Sequence, residues 1–121
     1  MPKKILVVDD SAVIRQVEET VLVKAGYEVA SANGGKEAIG KMETATFNLI
    51  LTDLNMPDVD GVSLIKQVRS SAKHRLTPVV MITTESKDSK KQEGKSAGAT
   101  AWMVKPFTPE QLLSVVKRII G

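Results

Sequence analysis

The chain has 121 residues, of which 42% are hydrophobic, and this size suits one domain with its own core. Its 17 basic and 14 acidic side chains are intermixed and give a formal net charge of +3. Such a mild excess does not predict a nucleic-acid binder, because those proteins concentrate basic residues in a stripe. The lack of cysteine excludes disulfides, thiol nucleophiles and thiolate metal sites, and a single histidine cannot build a His-rich zinc site.

The apolar runs are too short to cross a membrane. The longest, residues 5–8 and 79–82, are far shorter than the ~20 residues that a membrane-spanning helix needs. Asp9 and Asp10 interrupt the first run too early for a secretory signal. We therefore expect a soluble, cytoplasmic protein that consists of one domain over residues 1–121.

Short apolar segments alternate with longer amphipathic segments along the chain. The short segments predict five strands, at Ile5–Val8, Glu28–Ala32, Asn48–Thr52, Val79–Ile82 and Ala101–Val104. The longer segments predict five helices, at Val13–Ala25, Gly35–Thr44, Val62–Ser70, Asp88–Ala97 and Pro109–Ile120. Five βα units in series predict an α/β fold with a doubly wound, five-stranded parallel sheet and helices on both faces.

The first and last predicted helices carry the clearest apolar stripes. The stripe residues are Val13, Ile14, Val17, Val21, Leu22 and Ala25 in the first helix, and Leu112, Leu113, Val116, Ile119 and Ile120 in the last. Thr108 and Gln111 predict a capping box at the start of the last helix. That helix ends one residue before the end of the sequence, so we expect no output domain to follow it.

Polar side chains follow several of the predicted strands, at the edge where ligands bind in an open α/β sheet. Asp9 and Asp10 follow the first strand and Asp53 follows the third. If these strands are neighbours, the carboxylates lie within several ångströms of one another, because adjacent strands are about 4.8 Å apart. Two such charges 5 Å apart repel by roughly 3 kcal/mol at an effective dielectric constant of 20. The cluster must therefore hold a proton or recruit a cation.

Oxygen ligands without histidine or cysteine favour Mg²⁺ or Mn²⁺ over zinc, and Mg²⁺ commonly joins one or two carboxylates to a phosphate. Lys105, after the fifth strand, is placed to neutralise a phosphoryl oxygen, and Thr83, at the end of the fourth, to donate a hydrogen bond to it. Each residue alone has a simpler explanation, such as a helix cap or strand propensity. Their combination at one edge predicts a phosphoryl site.

Five motifs lie in order at the predicted strand ends: Leu6-Val7-Val8-Asp9-Asp10-Ser11, Thr52-Asp53-Leu54-Asn55-Met56-Pro57, Asp60-Gly61, Thr83-Thr84 and Lys105-Pro106-Phe107. Together they resemble the motifs of the receiver domain of two-component response regulators. The resemblance covers essentially the whole chain and is greatest to the single-domain receivers of chemotaxis. It implies a flavodoxin-like sheet with strand order 2-1-3-4-5, which composition and periodicity do not show.

The resemblance also implies a role for each matched residue. Asp53 would be the phosphoacceptor, taking a phosphoryl group from the phosphohistidine of a sensor histidine kinase. Asp10, Asp53 and the backbone carbonyl of Asn55 would bind Mg²⁺ directly, and Asp9 would act through water. The chain would then be a monomeric signalling switch that catalyses only its own phosphorylation and dephosphorylation.

Further residues would connect the site to an output. Lys105 would pair with the phosphoryl group, and Thr83 would move to bond it. Trp102 stands at the aromatic switch position, where the family most often has tyrosine or phenylalanine. Glu85, two residues after Thr83, would modulate the phosphate lifetime. Sequence alone predicts a trans peptide before Pro106, whereas the resemblance implies a cis one.

A downstream protein would read the phosphorylated state on the face formed by the fourth helix, fifth strand and fifth helix. Three alternatives remain open from the sequence. The first is a receiver that acts as a phosphate sink or relay. The second is a haloacid dehalogenase-type phosphohydrolase, which needs a second carboxylate where Asn55 stands. The third is a flavin-binding module, for which four aromatic residues are few. His74 is predicted to be a solvated loop residue away from the site and not a phosphorelay histidine.

Overall fold

The computed structural model describes residues 2–84 and 88–121, in which strands and helices alternate. The elements are β1 (Lys4–Val8), α1 (Ala12–Lys24), β2 (Glu28–Ala32), α2 (Gly35–Thr44), β3 (Leu49–Thr52), α3 (Gly61–Ser70), β4 (Val79–Thr83), α4 (Asp88–Ala97), β5 (Ala101–Val104) and α5 (Pro109–Ile120). The predicted elements are confirmed, with bounds that move by no more than one residue. None of the described helices is long and apolar enough to span a membrane.

The strands form one sheet in the order β2-β1-β3-β4-β5, and every neighbouring pair is parallel. The flavodoxin-like fold and its strand order are thereby confirmed. β1, β3 and β4 are central and apolar on both sides, as expected of strands that helices cover on both faces. The chain order reverses between β1 and β3, so the ligand-binding crevice lies beyond the ends of these two strands.

Two apolar clusters, one on each face of the sheet, form the core. Helices α2 and α3 pack on the first face through side chains such as Met42, Leu64 and Val68. Helices α1 and α5 pack on the second face through Leu22, Leu112 and Val116. Side chains alternate between the two faces of the sheet along each strand. A residue just beyond the end of a strand therefore points either toward α2 and α3 or toward α1 and α5.

The ends of the helices follow local sequence signals. Thr108 and Gln111 form the predicted capping box: the Gln111 N–H donates to Thr108 Oγ1 at 3.1 Å, and the Thr108 N–H to Gln111 Oε1 at 2.9 Å. The Ser11 hydroxyl caps α1 by accepting from the Ile14 N–H at 3.3 Å. Gly26 ends the following turn with a φ of +100°, a conformation that glycine adopts without strain.

The predicted stripe of α1 is partly wrong. Val13 and Val17 are 72% and 44% exposed, whereas Glu18 is only 2% exposed. The inward face of the helix passes through Glu18 and then Leu22, one turn apart. Two valines that matched the helical spacing therefore face solvent, and a carboxyl group takes the core position.

The prediction that His74 is a solvated loop residue is also wrong. Its side chain is fully buried, and its Nε2 accepts a hydrogen bond from the Phe47 N–H at 3.2 Å. The imidazole also stacks on the Phe47 ring, with 5.9 Å between the ring centroids. Burial lowers the pKa of His74, and the neighbouring Lys73 charge lowers it further. His74 thus fastens the start of β3 at the end of the sheet opposite the aspartates.

Candidate functional site

Three carboxylates meet beyond the ends of β1 and β3. Asp9, Asp10 and Asp53 each bring a carboxylate oxygen within 4.8 Å of the other two. Asp9 and Asp53 are buried and Asp10 is exposed, so the cluster is open to solvent on one side. The pairing of Val8 with Thr52 explains this meeting, since Asp9 and Asp53 directly follow these two residues.

Lys105 reaches this cluster from the end of β5. Its Nζ lies 2.6 Å from Asp9 Oδ2 and 3.5 Å from Asp53 Oδ2. The Lys105 N–H donates to the Thr83 carbonyl at 2.8 Å, which fixes the backbone from which the side chain extends. The following peptide bond, to Pro106, is cis. The trans form predicted from sequence alone is therefore wrong, and the form implied by the resemblance is confirmed.

Backbone N–H groups hold the two buried carboxylates in place. Asp9 Oδ1 accepts from the Ser11 N–H at 2.9 Å, and Asp53 Oδ1 accepts from the Leu54 N–H at 2.8 Å. The Arg15 guanidinium donates to the Asp9 carbonyl at 2.6 Å and adds a positive charge at the start of α1. These bonds leave Oδ2 of both aspartates facing Lys105.

The charges of the site perturb one another. Burial raises the pKa of Asp53, Lys105 opposes that rise, and the Asp9 charge adds to it. Burial tends to lower the pKa of Lys105, but the hydrogen bond to Asp9 and the attraction of Asp53 leave it raised. Lys105 stays protonated and offsets one of the three carboxylate charges. The remaining negative charge and the all-oxygen donor set fit a hard divalent cation.

Glu18 is a site neighbour that the sequence analysis missed. It belongs to α1, on the face of the sheet that Asp9, Asp53 and Lys105 share. Burial, followed by repulsion from Asp9, raises the pKa of Glu18 to about 8, although Lys105 partly opposes the rise. Glu18 is therefore protonated at neutral pH. A signal was available in the sequence, because position 18 lies four residues before buried Leu22.

The two predicted switch residues lie on the other face of the sheet. Thr83 is fully buried at the end of β4. Trp102, in β5, pairs with Met81 of the adjacent β4. Its half-buried side chain packs against the apolar cluster on the face of the sheet that α2 and α3 cover. Since Thr83 is two residues beyond Met81, alternation puts Thr83 and Trp102 on the same face. Glu85, the predicted modulating residue, lies outside the described residues.

Trp102 packs closely against α4. A Cβ atom at Gly94 would lie 3.0 Å from Cζ3 of the indole, so glycine leaves room for the ring. The indole Nε1 is buried and finds no hydrogen-bond partner among the residues that the structure describes. The indole, which is larger than the ring of tyrosine or phenylalanine, is thus accommodated by a small residue on the facing helix.

Comparison with known proteins agrees with this geometry. A sequence model of the response regulator receiver domain matches residues 5–117. The chain belongs to this family. It is 38% identical to the chemotaxis protein CheY1 of Helicobacter pylori, over 98% of this chain and 97% of that protein. It is also 38% identical to the transcriptional regulatory protein ResD of Bacillus subtilis, over 97% of this chain but 48% of that protein.

Solved structures of receiver domains superpose closely on this one. The chemotaxis response regulator CheY4 of Vibrio cholerae is 47% identical, with a TM-score of 0.94 over 98% of this chain and 99% of that chain. The receiver domain of the sensor histidine kinase PA1611 from Pseudomonas aeruginosa is 28% identical, with a TM-score of 0.91 over 100% and 99% of the two chains. That second structure has a magnesium ion coordinated in its active-site cleft.

Membership of this family establishes the general function. The receiver is a phosphoacceptor module of two-component signalling, and the receiver domains of response regulators are generally non-enzymatic signalling modules. Receiver domains interact with histidine kinases and with downstream targets. The comparisons do not favour a phosphohydrolase, a sink or relay, or a flavin-binding module as the function of this chain.

Proposed function

We propose that residues 1–121 form one receiver domain that accepts a phosphoryl group on Asp53. The observation that carries this proposal is the position of Lys105 Nζ, within 3.5 Å of carboxylate oxygens of both Asp9 and Asp53. An ammonium in that position faces the oxygen that would carry the new group. Asp53 is also 8% exposed, which leaves a path from solvent to its carboxylate.

Asp10, Asp53 and the backbone carbonyl of Asn55 are the proposed ligands of a Mg²⁺ ion, and Asp9 acts through a bound water. Oxygen donors and a solvent-facing side suit Mg²⁺, which keeps several waters when protein-bound. The bound ion would neutralise charge on the carboxylates and on the transferring phosphoryl oxygens. The relative with magnesium in its active-site cleft supports this choice of metal.

The proposed transfer needs little from the protein beyond positioning and charge. A carboxylate oxygen of Asp53 bonds to phosphorus while the bond from phosphorus to the kinase imidazole nitrogen breaks. The Leu54 N–H holds Oδ1 of Asp53, and Lys105 is available to the phosphoryl oxygens. A water oxygen later bonds to the same phosphorus while the bond from phosphorus to the Asp53 oxygen breaks, which releases phosphate and restores the carboxylate. The domain thus catalyses both its own phosphorylation and its dephosphorylation.

The switch is proposed to run from Thr83 to Trp102. A phosphoryl group adds up to two negative charges and three strong acceptors, which favour a conformation with the Thr83 hydroxyl and Lys105 drawn toward it. Thr83 and Trp102 share one face of adjacent strands, so movement of the first changes the space available to the second. Glu85 is proposed to modulate the phosphate lifetime.

The output surface is proposed to be the face formed by α4, β5 and α5. A groove of about 200 Å³ beside Trp102 is lined by Lys91 and Lys95, which suit an acidic or amphipathic partner segment. Because CheY1 and CheY4 are chemotaxis proteins, we propose chemotaxis as the pathway. The domain would act as a cytoplasmic monomer, with a sensor histidine kinase as donor and no role for nucleic acid or membrane.

Two readouts test the acceptor and the switch separately. Intact mass after treatment with phosphoramidate and Mg²⁺ reports whether one phosphoryl group is added. Emission of the single tryptophan, Trp102, with Mg²⁺ and beryllofluoride reports whether the switch responds. We expect both signals in the native protein, neither in Asp53→Asn, and both in the control Asp60→Asn, whose side chain caps α3.

Each outcome has a distinct meaning. Phosphorylation of Asp53→Asn to the native extent would refute Asp53 as acceptor. Phosphorylation of the native protein without any change in emission would refute only the role of Trp102. For the pathway, a deletion strain complemented with Asp53→Asn should fail to spread in soft agar. A sink would instead raise phosphorylation of a second receiver when this chain is deleted.

A further inference from the structure

The carboxylate of Asp58 joins the loop that follows β3 to the start of α2. Its Oδ1 accepts hydrogen bonds from the N–H groups of Gly35 at 3.2 Å and Val59 at 2.6 Å, and its Oδ2 accepts from the Lys36 N–H at 3.0 Å. Gly35 and Lys36 are the first two residues of α2, where N–H groups have no partner within a helix. Asp58 therefore caps a helix that is more than 20 residues away in the sequence.

The start of α2 is built to receive this carboxylate. Gly34, at the N-cap position, has no side chain that could cap the helix itself. A Cβ atom there would lie 2.8 Å from Asp58 Oδ1, and one at Gly35 would lie 2.4 Å from Cβ of Val59. Both distances are too short for real atoms, so the two glycines permit the approach. The hydrogen bonds from Lys36 and Val59 lower the pKa of Asp58, as expected of an ionised cap.

The same loop carries the proposed cation ligand Asn55, three residues before Asp58. At its base, the Gly61 N–H donates to the Leu54 carbonyl at 2.8 Å. The side chains of Leu54 and Met56 are 4% and 8% exposed and anchor the first part of the loop in the core. The second part is exposed, and Asp58 attaches it to α2.

We propose that Asp58 is a positioning residue for the cation site: by tying the loop to α2, it keeps the loop in the conformation in which the Asn55 carbonyl binds Mg²⁺. This inference rests on the cation site of the proposed function. When the tie is lost, a smaller fraction of molecules has the loop in place, and the apparent Mg²⁺ affinity falls in proportion to that fraction. By linkage, Mg²⁺ must in turn strengthen the tie.

A Mg²⁺ titration followed by amide NMR shifts measures the effect. Asp58→Ala should weaken Mg²⁺ binding by up to about fivefold, the factor reached if the whole ~1 kcal/mol of one helix cap is lost from the loop equilibrium. Asp58→Asn should lie between this variant and the native protein, because its amide oxygen replaces Oδ1 but its amide nitrogen cannot accept from Lys36. Gly35→Ala should weaken binding in the same direction by pushing Val59 away.

Asp60→Ala is the matched control. Asp60 lies in the same loop and caps α3 by accepting from the Ser63 N–H at 2.7 Å, so its loss removes a cap without freeing Asp58. We expect native Mg²⁺ affinity in this variant. A second readout separates positioning from general stability: Mg²⁺ should slow hydrogen exchange of the Gly35 and Lys36 amides in the native protein and not in Asp58→Ala.

The outcomes separate this inference from the proposed function. Equal Mg²⁺ affinity in Asp58→Ala and the native protein would overturn the inference, as would an equal loss in Asp58→Ala and Asp60→Ala. Failure of the native protein to bind Mg²⁺, or unchanged binding in Asp53→Asn, would instead refute the cation site itself and the inference with it.

Discussion

Glu18 offers the strongest test of the electrostatics around the site. Its folded-state pKa of about 8 lies far above its ordinary value of 4.5, because the carboxyl group is buried beside Asp9. Below pH 4.5 the folded and unfolded chains both hold the proton. Above that pH the unfolded chain releases it and the folded chain keeps it, so stability falls as pH rises toward 8.

The magnitude follows from the width of this window. Each pH unit between 4.5 and 8 costs the folded state about 1.4 kcal/mol, which amounts to about 3 kcal/mol at pH 7. Glu18→Gln carries a neutral amide of nearly the same shape and has no proton to lose. We therefore expect its stability relative to the native protein to increase by about 1.4 kcal/mol per pH unit between pH 5 and pH 7, and by less per unit as pH approaches 8.

Urea unfolding at pH 5, 6, 7 and 8, with chelator present, gives the two stabilities. The other titrating groups are common to both proteins and cancel in the difference. Glu19→Gln, which changes the next and less buried residue of α1, is the matched control for the amide substitution. The reasoning is refuted if the Glu18→Gln difference is constant over this range.

Two further predictions concern other parts of the structure. Because the pKa of His74 is lowered, its contribution to stability is present above pH 6.5 and is lost as pH falls. In urea unfolding, His74→Gln should therefore lose less stability than the native protein between pH 6.5 and pH 5. Equal losses in the two proteins would contradict this prediction. A Cβ atom at Gly61 would lie 2.4 Å from the Asp53 carbonyl oxygen, so Gly61→Ala should abolish the beryllofluoride response of Trp102. Gly40→Ala, where nothing lies within 4 Å of a new Cβ, should keep that response, and the reverse pattern would refute the steric argument.

The centre of the site was predictable from the sequence because it is built on strand ends. Asp9, Asp53 and Lys105 each directly follow a strand, and the carboxyl ends of parallel strands meet at one edge. Glu18 was not predicted: its spacing from Leu22 is compatible with burial, but only the packing of α1 on the sheet decides between Glu18 and the valines of the predicted stripe. The role of Asp58 was not predictable either, since its partners are residues of a distant helix.

The strands, the helices, the parallel sheet and the acidic edge follow from the order of residues alone, because spacing and capping act over a few neighbours. The tertiary structure decided the remainder: the strand order, the face shared by Thr83 and Trp102, and the burial of Glu18 and His74. These features arise from contacts between residues far apart in the chain. Local patterns carry no information about which of several chemically acceptable partners a side chain will meet.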